Sequence, residues 1–263
     1  MPAVDGVQPY PSEVFETFNQ VAANNLGNKG PAYPSLRQGY PNYYDVTASF
    51  PPTILRAIGY LESRWRQFRA SSGAVGPTVI NAASDPSCAY GIMQVVSGMK
   101  GGSNFDPPRV AAEYQYNIGT GALILLWKWN YLALIGSTVG DNNPNIMEDW
   151  YYSVWAYYNW SWLNNPNNPR YDPNRNPYWD PFDSSSYPAS AYPYQELVWG
   201  YVANPPPGPD GQPLWQSIRL TFPDPGAMGY SHPPGHITDP QPVHTDSFQP
   251  PPAPTPTPLP PPT

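Results

Sequence analysis

The sequence predicts a mainly α-helical domain followed by a proline-rich, largely unstructured C-terminal tail. Three observations predict this. Apolar residues recur at helical spacing in several stretches between 12 and 203. Most of those stretches open just after a proline or a small polar residue, where helices start. The 40 prolines crowd after position 204 and dominate QPPPAPTPTPLPPPT at 249–263, a polyproline-type spacer by composition.

The elements follow in chain order. Ser12 precedes EVFETFNQVAANN and is placed to cap a helix whose Val14, Phe18 and Val21 share one face. Positions 27–44 are rich in Gly, Pro, Asn and Tyr and read as loop. Pro51-Pro52-Thr53 opens a second helix reaching about Phe68. A loop over 70–89 leads to GIMQVVSGM, which reads as a short helix from about Ile92. Pro107-Pro108 opens the longest helix, apolar nearly all round and therefore central. Its most apolar part, GALILLWKWNYLALIG, reads as core and as too short to span a membrane. Another helix runs from Ile146 to about Trp160, and YQELVWGYVA closes the domain. LWQSIRLTF at 214–222 reads as an extended segment. The expected organisation is an N-terminal helix and loop extension over 1–50, a domain over 51–203 with an insertion at 164–193, and a tail over 204–263.

Composition limits the function. Charged residues are 12% of the chain, the net charge is −7, and Lys and Arg form no cluster. That balance argues against nucleic acid and against electrostatic docking to anionic lipid. Aromatic residues reach 15%, with 21 tyrosines and 10 tryptophans, a composition suited to stacking on neutral polymers such as sugars. The N-terminus shows no signal peptide. His232, His236 and His244 lie in a proline-rich stretch that argues against a metal site, and no cofactor is expected.

One residue stands out in GYLESRW at 59–65. With Leu61 set at zero and about 100° per residue, the apolar residues of the second helix cover roughly −20° to 120°. Glu62 falls inside that arc, while Arg56, Ser63 and Gln67 lie opposite. A carboxylate there is either ion-paired, with Arg66 or Arg69 as partners, or neutralised by burial. Burial raises a carboxyl's pKa and makes it a proton donor near neutral pH.

Five motifs then occur in order: LESRW, YGIMQV, YNIGTGALILLWKW, WAYYNW and YPYQELVWGYV. This set resembles the catalytic domain of the soluble-type lytic transglycosylases, over roughly 51–202. That family carries Glu-Ser, Gly-Leu-Met-Gln, an Asn-Ile helix, Ala-Tyr-Asn and a closing helix ending in Tyr-Val. The chain departs from the pattern in a longer loop between Glu62 and Gly91, in Tyr157 where a small residue is usual, and in the insertion at 164–193.

The resemblance implies a lysozyme-like fold, peptidoglycan glycan strands as partner, an extracytoplasmic setting (cell wall, periplasmic or secreted), and a single catalytic carboxyl. Glu62 would be that acid. Ser63 would hydrogen-bond the N-acetyl region or the acid, and Gly91 would let backbone approach the sugar. Met93 would wall the acid, Gln94 would donate to a sugar oxygen, and Tyr158 would orient Glu62 or touch the N-acetyl group. Asn159 would hold backbone together. A second carboxylate would favour a muramidase, with Asp85 first and Asp106, Glu113, Glu148 and Asp149 as alternatives. A non-catalytic wall-binding module is the remaining reading. The tail's partner has no signature.

Overall fold

A computed structural model describes residues 4–81, 88–102 and 104–246. Asp85 and the terminal run at 249–263 lie outside the described residues. The chain begins with β1 (Asp5–Val7) and α1 (Pro11–Ala22), then β2 (Leu36–Gln38), β3 (Tyr44–Val46) and α2 (Pro52–Ser63). Next come β4 (Val75–Pro77), β5 (Ile80–Asn81), β6 (Ala89–Tyr90), α3 (Pro107–Ala112) and α4 (Tyr114–Ile135). The last elements are α5 (Tyr151–Asn159), α6 (Tyr194–Ala203) and the single turn α7 (Pro225–Met228). The fold is mainly α. Its strands pair only as short antiparallel ladders, β1 with β4, β2 with β3 and β5 with β6.

α4 packs against α1, α3 and α5, and α2 packs against α1 and α6. α4 is long and apolar enough to cross a bilayer by length and composition alone, since it starts at Tyr114 and not at Gly121. Here it is the core helix: Ile118, Ala122, Leu125, Leu126 and Trp129 are all buried. Trp129 meets Trp150 at 4.2 Å between ring centroids, and Phe50 packs on Trp150. α1 contributes Val14, Phe15, Phe18 and Val21 to the same core. Its N-cap is Tyr10, whose amide donates to Glu13 at 2.8 Å, so Ser12 sits inside the first turn and does not cap.

Three helices differ from expectation for local reasons. α2 stops at Ser63 because Arg64 and Trp65 take left-handed backbone, with φ of 57° and 59°. Trp65 then folds under the helix, and its indole donates to the Arg56 carbonyl at 3.0 Å. The long helix breaks at Glu113, whose extended backbone separates α3 from α4. GIMQVVSGM forms no helix; Gly91 and Gln94 have positive φ, and Tyr90 bridges Val95. Arg56 is not on an open face but fully buried, because α1 covers that side. It donates to Asn19 and lies 3.7 Å from the Phe15 ring centroid. Burial lowers its pKa to about 10.

The tail is the main correction. Over 204–246 the chain has little regular structure, yet it is packed. Leu214, Trp215, Leu220, Met228 and Ile237 join the core. Val139 bridges Ile237, and Ile146 bridges Thr245. The segment at 214–222, read as extended, pairs in no ladder among the described residues, and its buried residues Leu214, Trp215 and Leu220 act as anchors. At the far end Asp246 accepts from the Thr53 amide at 2.6 Å and from the Thr53 hydroxyl at 3.1 Å. α2 has no capping side chain of its own, so Asp246 performs that role from outside the helix.

Candidate functional site

Glu62 is the penultimate residue of α2. It forms the common wall of two cavities, about 460 and 400 Å³, which share Glu62, Asn81 and Tyr158. The residue keeps some surface at this cleft, but neighbouring atoms exclude most of the water that would solvate its carboxyl. That burial raises its pKa to about 7. The Tyr194 hydroxyl donates to Glu62 Oε1 at 2.5 Å and opposes the rise by favouring the ionised form. Tyr194 is itself held far above the ordinary phenol range, chiefly by burial, and stays a donor.

The expected ion-pair partners go elsewhere. Arg66 and Arg69 line a separate cavity, and Arg69 donates to the Ile80 carbonyl at 2.8 Å. Glu62 makes no salt bridge among the described residues. It is a desolvated acid, not half of an ion pair.

The turn after β6 is held by two buried side chains. Gln67 Oε1 accepts from the Ile92 amide, and Asn117 Oδ1 accepts from the Met93 amide at 2.8 Å. Their amide nitrogens donate to Val110, Ala111 and Tyr90 carbonyls. A Cβ on Gly91 would run into both side chains, and its φ of 66° is left-handed. Gly91 therefore makes room for Gln67 and Asn117 and not for a sugar. Met93 is buried with its side chain against Gly59 and Gly121 and lines neither cavity. Its carbonyl accepts from the Tyr157 hydroxyl at 2.7 Å, tying α5 to this turn.

Ser63 also braces. Its hydroxyl reaches the Ile92 carbonyl at 2.9 Å and accepts from the Arg66 amide at 3.1 Å. It lines neither cavity that Glu62 lines. Gln94 lines the smaller cavity. Its Nε2 donates to the Gly91 carbonyl at 2.7 Å, which fixes the amide orientation. Oε1 is buried without a hydrogen-bond partner among the described residues.

Tyr158 is exposed at the cleft and does not bond Glu62. It stacks on Tyr194 at 4.9 Å and 11°, which presents an aromatic face beside the acid. Asn159 lines the larger cavity, and its carbonyl accepts from Asn164 Nδ2 at 3.2 Å.

Among the described residues lining the two cavities, Glu62 is the only carboxylate. Glu113 pairs with Arg109, Glu148 with His244, and Asp149 lies buried under the Asn143 amide. Asp106 lines neither cavity. The histidines part company: His236 stacks on Tyr40, and His232 contacts the Trp160 carbonyl. No cluster of three metal-ligating side chains exists among the described residues.

Tyr194 and Arg170 are cleft residues that the sequence did not single out. Tyr194 reads as the first residue of an apolar helix, and its partner is 132 positions away. The aligned pair of tyrosines has no sequence period to betray it. No known family model, curated protein or solved structure matches the chain.

Proposed function

We propose that the protein is a lysozyme-like peptidoglycan lytic transglycosylase that uses one carboxyl, Glu62. The observation that carries the reading is a desolvated glutamic acid in the wall shared by two cavities, the one carboxylate among the described residues that line them, with a pKa of about 7 and a phenol donating to it. The aromatic face of Tyr158 beside it supports a sugar as the ligand. The order of the five sequence motifs supports the family. Because the substrate is the wall polymer, the setting is extracytoplasmic.

Most glycosidases need two carboxylates. With one, the substrate must supply the missing functions. Glu62, protonated below about pH 7, gives its proton to the oxygen linking N-acetylmuramic acid to N-acetylglucosamine. The C1–O bond breaks and the muramic N-acetyl carbonyl stabilises the cation at C1. The Glu62 carboxylate, now held by the Tyr194 hydroxyl, takes the proton from the muramic C6 hydroxyl. That oxygen bonds to C1 and closes a 1,6-anhydro ring. Glu62 ends protonated and no water is consumed. Gln94 Oε1 accepts from a sugar hydroxyl or amide in the smaller cavity.

The test is digestion of purified peptidoglycan with the native chain and with Glu62→Gln, followed by mass spectrometry. Products one water lighter than hydrolysis fragments, missing with the variant, are expected. Hydrated reducing ends would make the enzyme a muramidase. Retained binding with no soluble product from either protein would make it a wall-binding module.

A further inference from the structure

Among the described residues, the larger cavity is lined by one positive side chain, Arg170, and the smaller by none. In a chain of net charge −7, a cation facing a candidate substrate cleft needs a reason. Arg170 sits on the insertion at 164–193. The acids close to it along that insertion are engaged elsewhere. Asp172 accepts from the Asn174 amide at 2.8 Å and the Tyr187 hydroxyl at 3.3 Å. Asp180 and Asp183 accept from Phe182 and Ser185. Glu196 is paired with Arg175 at 2.5 Å. Arg170 forms no salt bridge among the described residues.

The loop presenting it is rigid by construction. Asn168 Nδ2 donates to the Trp162 carbonyl at 3.0 Å, and Asn168 Oδ1 accepts from the Arg170 amide at 3.0 Å. The Tyr171 hydroxyl donates to the Leu163 carbonyl at 2.8 Å. Asn167 Nδ2 reaches the Pro225 and Gly229 carbonyls, and Gln195 donates to the Asn164 carbonyl. A backbone fixed at this many points holds the root of a long side chain in place, which lowers the entropy lost on binding.

We propose that Arg170 binds a carboxylate of the substrate, so that the larger cavity selects a carboxylate-bearing glycan over a neutral one. The inference rests on the glycan reading given above. A guanidinium matches a carboxylate with two parallel N–H···O bonds, which adds geometric selectivity to the charge attraction. Two sources offer that group. One is the lactyl carboxylate of muramic acid in bare strands; the other is the stem peptide when the lactyl group is amidated.

The test uses the full chain carrying Glu62→Gln, which blocks turnover, with and without Arg170→Gln. Each protein is titrated calorimetrically with three probes: chitotetraose, a peptide-free tetrasaccharide of alternating N-acetylglucosamine and N-acetylmuramic acid, and the same tetrasaccharide bearing stem peptides. The expected result is a roughly five- to tenfold preference for a carboxylate-bearing probe over chitotetraose, abolished by Arg170→Gln. Preference for the bare muramic probe assigns the lactyl carboxylate, and preference only for the peptide-bearing probe assigns the peptide. Equal binding of all three, or a preference that survives Arg170→Gln, overturns the inference while leaving the glycan site standing. Binding of none overturns the glycan reading and this inference together.

Discussion

Replacing Tyr194 by Phe separates the two influences on Glu62. The ring and its stack on Tyr158, at 4.9 Å, are kept. Only the hydroxyl that donates to Oε1 at 2.5 Å is lost. That hydroxyl lowers the carboxyl's pKa against the dominant rise from burial, so its removal moves the pKa further above about 7. A hydrogen bond to a charged group contributes about 1.5–3 kcal/mol, and the protonated acid retains part of it. A net loss of roughly 1.4 kcal/mol corresponds to about one pH unit. The alkaline limb of the activity profile should therefore move up by roughly one pH unit. In the proposed mechanism Glu62 acts protonated, so at pH 8 the variant should lose less of its own maximal rate than the native chain. The assay is release of anhydro-ended fragments from peptidoglycan between pH 4.5 and 9. An unmoved limb, or one displaced to lower pH, would refute the assignment of Glu62 as the titrating acid under Tyr194's control.

Gly91→Ala forces a side chain onto Gln67 and Asn117 in left-handed backbone and should cost about 2–4 kcal/mol. A melt should show a fall of roughly 5–15 °C, and an unchanged melt would mean the turn relaxes freely. Asp149 is pushed up to about 10, by burial first and then by Asp239, with Asp141 adding to the rise. A carboxyl raised in this way contributes stability that is complete below its unfolded pKa of about 4 and is lost as pH rises towards 10. The melting temperature should fall between pH 5 and 9, and Asp149→Asn should flatten that slope; an identical slope in the variant would exclude Asp149 as its source. Asp246→Ala removes the external cap of α2 and should cost about 1–2 kcal/mol by denaturant unfolding, whereas a free tail would give no change.

Periodicity carried much of the fold. α6 occupies the stretch read from YQELVWGYVA, and Val14, Phe18 and Val21 of α1 are all buried as their spacing requires. The odd place of Glu62 was equally legible, since one carboxylate interrupts an apolar arc. What periodicity could not reach was set by side chains from elsewhere in the chain. Gln67 and Asn117 capture the amides of Ile92 and Met93, so GIMQ turns where its composition permits a helix. Tyr194 meets Glu62 only when α6 docks on α2. The segment at 204–246 misled through its prolines: Trp215, Leu220, Met228 and Ile237 are single anchors with no common repeat, and burial by isolated residues leaves no pattern to read.

The capping of α2 by Asp246 bears on the order in which the molecule assembles. Thr53 and Asp246 are 193 positions apart, and closing so long a loop is slow compared with winding a helix. The helix that bears Glu62 can wind locally, but its first turn is finished only when Asp246 docks on Thr53. Completion of the α2 start is therefore tied to the docking of a segment 193 positions away and not to the winding of the helix itself.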